Sequence, residues 1–142
     1  MLESLLLALA LVSLPLAAAF ANGVEIADAW VRLPPPKTSA AAYLTIENET
    51  TSPIVIVGAS SEAAGRVEIH ETEMTDQGVM KMRPVEDGLA LPAGETVTLK
   101  PGGKHIMVMG LDGELAKGAT LPLTLDFEVA GEVEVAVPVG MG

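Results

Sequence analysis

The 142-residue chain is predicted to be an all-β protein, either a Greek-key β-barrel or a β-sandwich. Two observations predict this class. Short apolar stretches alternate with polar residues at a period of two, as in "VEIHETE", and clusters of glycine, proline and acidic residues separate them. After residue 21 no stretch shows the longer period of an amphipathic helix.

Residues 1–21 are predicted to be a secretory signal. They are apolar and end in an Ala-x-Ala pattern, which places the cleavage after Ala21 and leaves 22–142 as one exported domain. The positive charge that usually opens a signal is missing, because no Lys or Arg precedes Arg32. The alternative is an uncleaved anchor, for which the segment is barely long enough.

The first half of the domain is predicted to contain four strands. The proline-rich connection "LPPPK" at 33–37 separates the first two, because its missing N–H groups prevent ladder pairing. The polar run "ETTS" ends the second strand. The four predicted strands are residues 24–32, 39–48, 53–60 and 65–73.

The second half is predicted to continue as strands joined by short turns. "TDQG", "EDG" and "PGGK" are turns by composition, and Ala130-Gly131 is the turn of a closing hairpin. Residues 112–119 are predicted to be a loop that contains at most one helical turn. The predicted strands are residues 79–85, 89–94, 95–100, 105–111, 121–129 and 132–139.

Composition excludes several functions. The net charge is −11, and removal of Glu3 with the signal changes it only to −10. So acidic a chain is not expected to bind nucleic acid. The chain has no cysteine, hence no disulfide and no catalytic or metal-binding thiolate. No nucleophile and base share a local signature, so the chain is not predicted to be an enzyme.

Histidine and methionine are concentrated in two short segments. The chain's two histidines, His70 and His105, open the segments 70–82 and 105–109. Strand alternation places Ile106 and Val108 toward the core and His105 with its neighbouring methionines on the other face. Five of the seven methionines lie in these segments: Met74, Met80, Met82, Met107 and Met109.

The same alternation applies to the first segment. His70 and Met74 share the face that lies opposite the apolar positions of their strand. Met80 and Met82 lie opposite Lys81, which fits either a metal site or an ordinary core strand. Since methionine often fills irregular cores, an exported interaction module without a metal is the alternative to a metal site.

Thioether and imidazole ligands together favour Cu(I). Thioether sulfur is soft and neutral, whereas zinc prefers thiolate, imidazole or carboxylate, and calcium prefers oxygen. A blue-copper site is excluded because it needs a cysteine. Four acidic residues near His70 are expected to favour a cation: Glu68, Glu71, Glu73 and Asp76.

At these residues the chain resembles the periplasmic copper chaperones of the PCu(A)C family. The resemblance covers most of the exported domain, and the combination of segments is specific although no single one is. It implies a cupredoxin-like β-barrel, a periplasmic location and Cu(I) bound by histidine and methionine. It also implies delivery of copper to the binuclear copper A centre of cytochrome c oxidase, alongside Sco-type proteins. The matching segments are "AWVR", "SAAAYLTIEN", "VEIHETEM", "GVMKMRPV", "LPAGETVTLKPGGKHIMVMGL" and "LTLDFEV".

The family's ligand pattern maps onto His70, Met82, His105 and Met107. The two gaps hold eleven and twenty-two residues, each one longer than in the family pattern, and the turns can absorb the difference. Met80 is the alternative to Met82, and two further methionines, Met74 and Met109, are candidate auxiliary ligands. A periplasmic copper buffer that only sequesters the ion is the alternative to a chaperone.

Overall fold

The computed structural model describes residues 19–21, 23–85, 87–129 and 131–140. Over these residues the chain consists of strands and connections without a helix, and the strands form two sheets. The strands are β1 (Ala19–Ala21), β2 (Val24–Arg32), β3 (Ser39–Asn48), β4 (Ile54–Ser60), β5 (Arg66–Met74), β6 (Met80–Pro84), β7 (Leu89–Leu91), β8 (Thr96–Leu99), β9 (His105–Met109), β10 (Thr120–Phe127) and β11 (Gly131–Pro138).

The larger sheet has the order β1-β2-β3-β9-β5-β6, and β8 also pairs with β3. One edge of β3 is therefore shared. Its first residues, 39–42, pair with β9, and its later residues, 44–47, pair with β8. Residues 101–104 connect β8 to β9 and lie near Tyr43, the residue of β3 between the parts paired with β9 and with β8.

The smaller sheet has the order β11-β10-β4-β7 and covers one face of the larger sheet. The alternating apolar residues of both sheets form a single core. On β9 the core residues are Ile106 and Val108, whose side chains are 1% and 0% exposed. The opposite face of the larger sheet therefore displays His105, Met107 and Met109, as the strand alternation predicts.

A β-bulge in β2 changes which residues reach that outer face. The register with β3 shifts between Ala27 and Trp30, and Asp28 has a left-handed φ of 55°. Asp is one of the few residues that adopts this conformation readily, and a bulge residue of this kind reverses the alternation. Ile26 faces the core before the bulge and Val31 after it, so Trp30 points to the outer face.

The all-β sandwich prediction is confirmed. Two antiparallel sheets face each other and do not close into a barrel, so the barrel alternative is not the one adopted. Nine of the ten predicted strands correspond to observed strands within two residues at either end, and 89–94 is shorter than predicted, with pairing confined to Leu89–Leu91. Residues 112–119 form a loop with a turn at 117–118 and no helical turn. No helix among the described residues is long and apolar enough to cross a membrane.

The predicted signal, residues 1–21, lies outside the described residues except for its last three. Ala19–Ala21 form β1, which pairs with residues 24–26 of β2. Cleavage after Ala21 stays a prediction.

Candidate metal centre

The two histidines lie directly opposite each other on neighbouring antiparallel strands. β5 pairs with β9 so that His70 is the register partner of His105. Their ring centroids are 5.7 Å apart, and the ring planes are inclined by 61°. The pairing joins the two segments that the sequence singled out.

The ring of His105 packs near two aromatic side chains and forms a hydrogen bond with the turn before β9. Its ring centroid lies 6.4 Å from that of Tyr43, which in turn packs against Trp30 at 4.7 Å. The Nδ1 atom is 3.2 Å from the carbonyl oxygen of Gly103. A carbonyl only accepts, so Nδ1 carries the proton and Nε2 keeps its lone pair.

His70 has the opposite tautomer. Its Nε2 lies 2.8 Å from Oε2 of Glu68, a carboxylate that accepts the N–H. The lone pair is therefore on Nδ1. Among the described residues, this Nδ1 is the one buried side-chain nitrogen or oxygen without a hydrogen-bond partner. Buried polar atoms are normally paired, so this unpaired nitrogen, with its lone pair free, is a candidate ligand atom.

Glu68 is itself held in place by the side chains of Arg66 and His70. It accepts from Arg66 as well as from His70. The hydrogen bond from His70 holds the pKa of the Glu68 carboxyl below its ordinary value, and the charge of Arg66 acts in the same direction. Glu68 therefore stays ionised and fixes the ring of His70, as carboxylates behind metal-binding histidines do.

The methionine side chains meet His105 in a cleft of about 440 Å³. Met80 and Met82 border it from β6, and Met107 borders it from β9. The β5–β6 register separates the two candidates on β6. Met82 lies opposite Thr72, the next residue after His70 on this face, whereas Met80 lies opposite Met74, two register pairs farther from His70. The register thus places Met82 nearer the histidine pair.

The two auxiliary candidates lie at the margins. Met74 is 66% exposed and is the register partner of Met80 at the outer end of the hairpin. Met109 is two residues beyond Met107 and pairs with Arg66 and Ser39. His105, Met107, Met82 and Met80 line one cleft, and His70 lies opposite His105, whereas Met74 and Met109 are not among the residues that line it.

Two expectations about the surroundings need correction. Glu71 and Glu73 do not surround His70, because they lie on the opposite face of β5 and pair with Arg83. His105 lies on the face away from the core, as predicted, and its side chain is nevertheless only 5% exposed. The core interpretation of Met80 and Met82 is wrong, since all five residues of β6 are exposed.

The sequence did not point to Tyr43 or to the carbonyl of Gly103. Tyr43 reaches His105 only through the pairing of β3 with β9, whereas Gly103 lies two residues before His105 in the same turn and carries no side chain that could mark its role. Thr72 also donates to the Gly103 carbonyl, at 3.3 Å, which links β5 to the same turn. Glu68 was detectable, since residues two apart on a strand share a face.

Residues 24–139 match the model of the protein family described as "Putative lipoprotein LpqE-like". This chain belongs to that family. The family is the PCuAC family, so the resemblance noted in the sequence is confirmed. One relative, "Putative lipoprotein Lxx21020" of Leifsonia xyli, is 39% identical over 84% of this chain and 70% of its own length.

A second relative, the uncharacterised protein RP573 of Rickettsia prowazekii, is 33% identical, and the match covers 64% of this chain. The chain spans 50% of that relative's length.

Solved PCuAC structures share the fold. The copper-bound PCuAC domain from PmoF2 superposes with a TM-score of 0.72 at 25% identity, covering 88% of this chain and 98% of that domain. The solution structure of CuI-DR1885 from Deinococcus radiodurans gives 0.62 at 32% identity, covering 87% and 80%. The first of these is a copper-bound domain and the second is the Cu(I) form of its protein.

Proposed function

We propose that this PCuAC chain is an exported periplasmic copper chaperone that binds one Cu(I) through His70, Met82, His105 and Met107. One observation carries the proposal. Opposite tautomers leave each histidine one unprotonated nitrogen, and one of these nitrogens is buried without any partner. Imidazole and thioether donors without a thiolate suit Cu(I).

The further step is delivery. We propose that the acceptor is the binuclear copper A centre of cytochrome c oxidase, reached directly or through a Sco-type protein. The support is family membership and the partial exposure of the cleft, which lets an acceptor's ligands approach Met82 before the histidines release the ion. Catalysis is not part of the proposal, and no nucleic-acid partner is expected for so acidic a chain.

Binding is tested with variants that each remove one proposed ligand. Cu(I) affinity is measured by competition with a chromogenic chelator, and X-ray absorption reports the donor atoms. We expect mixed nitrogen and sulfur scattering and a sharp loss of affinity in His70→Ala and Met107→Leu. Met109→Leu is the matched control on the same strand. A shell of oxygen and nitrogen alone contradicts the assignment.

The choice between Met82 and Met80 is tested in the same assay. Leucine keeps the volume of methionine and removes the sulfur, so Met82→Leu should weaken binding much more than Met80→Leu. The reverse order would assign the ligand to Met80.

Transfer separates a chaperone from a buffer. Copper-loaded protein is mixed with the apo acceptor, either freely or across a dialysis membrane. A chaperone transfers much faster when the two proteins can touch. Equal rates would mean that copper passes through solution, as expected of a periplasmic buffer.

An interaction module without metal is less well supported. It predicts methionines packed among leucine and valine, whereas Met80 and Met82 are 54% and 61% exposed.

A further inference from the structure

Exposed apolar side chains are concentrated on the hairpin formed by β5 and β6. Six large hydrophobic residues are exposed among the described part of the chain, and only Val57 and Val129 lie elsewhere. Exposed thioethers contribute little to stability and are open to oxidation, so such a concentration calls for a function. The four on the hairpin are Met74, Val79, Met80 and Met82.

Three of these side chains share one face of the hairpin. Met74 and Met80 are direct register partners, and Met82 lies two residues from Met80 on the same face. Opposite residues in an antiparallel pair have Cβ atoms about 5 Å apart, and diagonal neighbours are roughly 7–8 Å apart. Methionine has three rotatable bonds, so all three sulfur atoms can reach one ion.

The other face of the hairpin carries the charges. Glu71 and Glu73 pair there with Arg83, and Lys81 faces the same way. On the methionine face, the carboxylate of Glu68 lies at the other end of β5 and is engaged by Arg66 and His70, so the hairpin end of this face offers neutral sulfur ligands. Such a set suits a soft monovalent cation and disfavours zinc or calcium.

We propose that Met74, Met80 and Met82 form a second, outer site for Cu(I), which captures the ion at the sheet edge. The ion then passes to the inner site. This second step rests on the proposed function, whereas the existence of the outer site does not.

The transfer is a ligand exchange in which Met82 belongs to both sites. The bond to its sulfur persists while the bonds to Met74 and Met80 are replaced by bonds to His70, His105 and Met107. All these ligands are neutral, and the histidine tautomers already present unprotonated nitrogens. No proton or electron moves, and the ion remains Cu(I).

The outer site is tested with the inner one disabled. In the full chain, His70→Ala with Met107→Leu removes two inner ligands and keeps the three outer thioethers. Ag(I), a soft monovalent probe, is added while the methyl resonances of ¹³C-labelled methionine are followed. We expect the Met74, Met80 and Met82 signals to shift together and saturate near one equivalent.

Two further variants in that background make the result specific. Met74→Leu with Met80→Leu should abolish Ag(I) binding, while Val79→Ala, which removes an exposed apolar group without sulfur, should leave it intact. Unmoved Met74 and Met80 signals at excess Ag(I) overturn the proposal. Because the inner site is already disabled, failure of the inner assignment in the wild-type chain would not alter this result.

The capture role is tested in the chain with both sites intact. Met74→Leu with Met80→Leu should lower the rate of Cu(I) uptake from a chelator complex by a larger factor than it lowers the equilibrium affinity. Equal factors would overturn the capture role.

Discussion

At the scale of single residues, the site depends on which atom of each histidine holds the proton. The carbonyl oxygen of Gly103 and the carboxylate of Glu68 can only accept hydrogen bonds from the two rings, so the tautomers are opposite. A ring fixed in this way loses little freedom when a metal binds. The contact between Glu68 and His70 is therefore the most informative one to remove.

Glu68→Ala should lower Cu(I) affinity by roughly 10–100-fold, which is typical for loss of a carboxylate behind a metal-binding histidine. Glu68→Gln keeps a carbonyl acceptor and should recover most of the affinity. Chelator competition measures both. Glu71→Ala, on the other face of β5, is the control; an equal loss there would point to general electrostatics instead.

Glu68 should also make the metal-free protein sensitive to acid. Its pKa is lowered on folding, so its contribution to stability is present above the unfolded value of about 4.3 and is lost as pH falls through the folded value. The difference in free energy of unfolding between wild type and Glu68→Gln should be largest near neutral pH and shrink below about pH 4. Urea denaturation at several pH values measures it, and a difference that grows on acidification would contradict the sign.

At the scale of elements, β6 and β9 contribute thioethers in different ways. β9 is packed on its inner face, where Ile106 is 1% exposed, and presents Met107 on its outer face. β6 is an edge strand whose residues are all exposed, so its methionines are free to move toward an ion or a partner. The candidate ligand on β9 therefore lies on a packed strand, and the candidates on β6 lie on an accessible edge.

Met82→Ala should therefore change the free energy of unfolding of the metal-free protein by no more than about 0.5 kcal/mol, as is usual for surface positions. Ile106→Ala, a core change on the neighbouring strand, should cost about 2–5 kcal/mol. Urea denaturation compares them. A cost for Met82→Ala in the core range would mean that this side chain is packed.

At the scale of the whole molecule, the excess of negative charge lowers stability where acidic side chains lie close together. Glu25 and Glu47 are register partners on β2 and β3, and with Glu49 their carboxylate oxygens lie within 4.8 Å of one another. Burial raises the pKa of the Glu25 carboxyl, and the charges of Glu49 and Glu47 raise it further. Like charges facing each other on neighbouring strands destabilise a sheet.

Glu25→Gln should stabilise the protein at neutral pH. The raised pKa means that folding is relatively favoured at low pH, where Glu25 is protonated, and that this advantage is lost as pH rises through the folded value. The gain in melting temperature should therefore appear above about pH 5 and vanish near pH 3. Glu134→Gln on β11, whose register partner is the uncharged Thr124 of β10, is the control and should show no comparable gain.

Export is tested on the intact protein. The apolar segment and its Ala-x-Ala end predict a mature chain that begins at residue 22. The mass of the exported protein should match this start. A mass that retains residues 1–21 would indicate an anchor instead.

The sequence by itself determined the fold class, the strand order along the chain and the ligand chemistry. Each of these is local: alternation at a period of two assigns faces, turn residues separate strands, and thioether with imidazole selects the metal. The tertiary structure alone decided that His70 faces His105, that Tyr43 packs near the ring of His105, and that Met82 is exposed. The bulge that turns Trp30 outward was equally invisible. These features depend on register and on the place of each strand in the sheet, which arise from contacts between segments far apart in the chain.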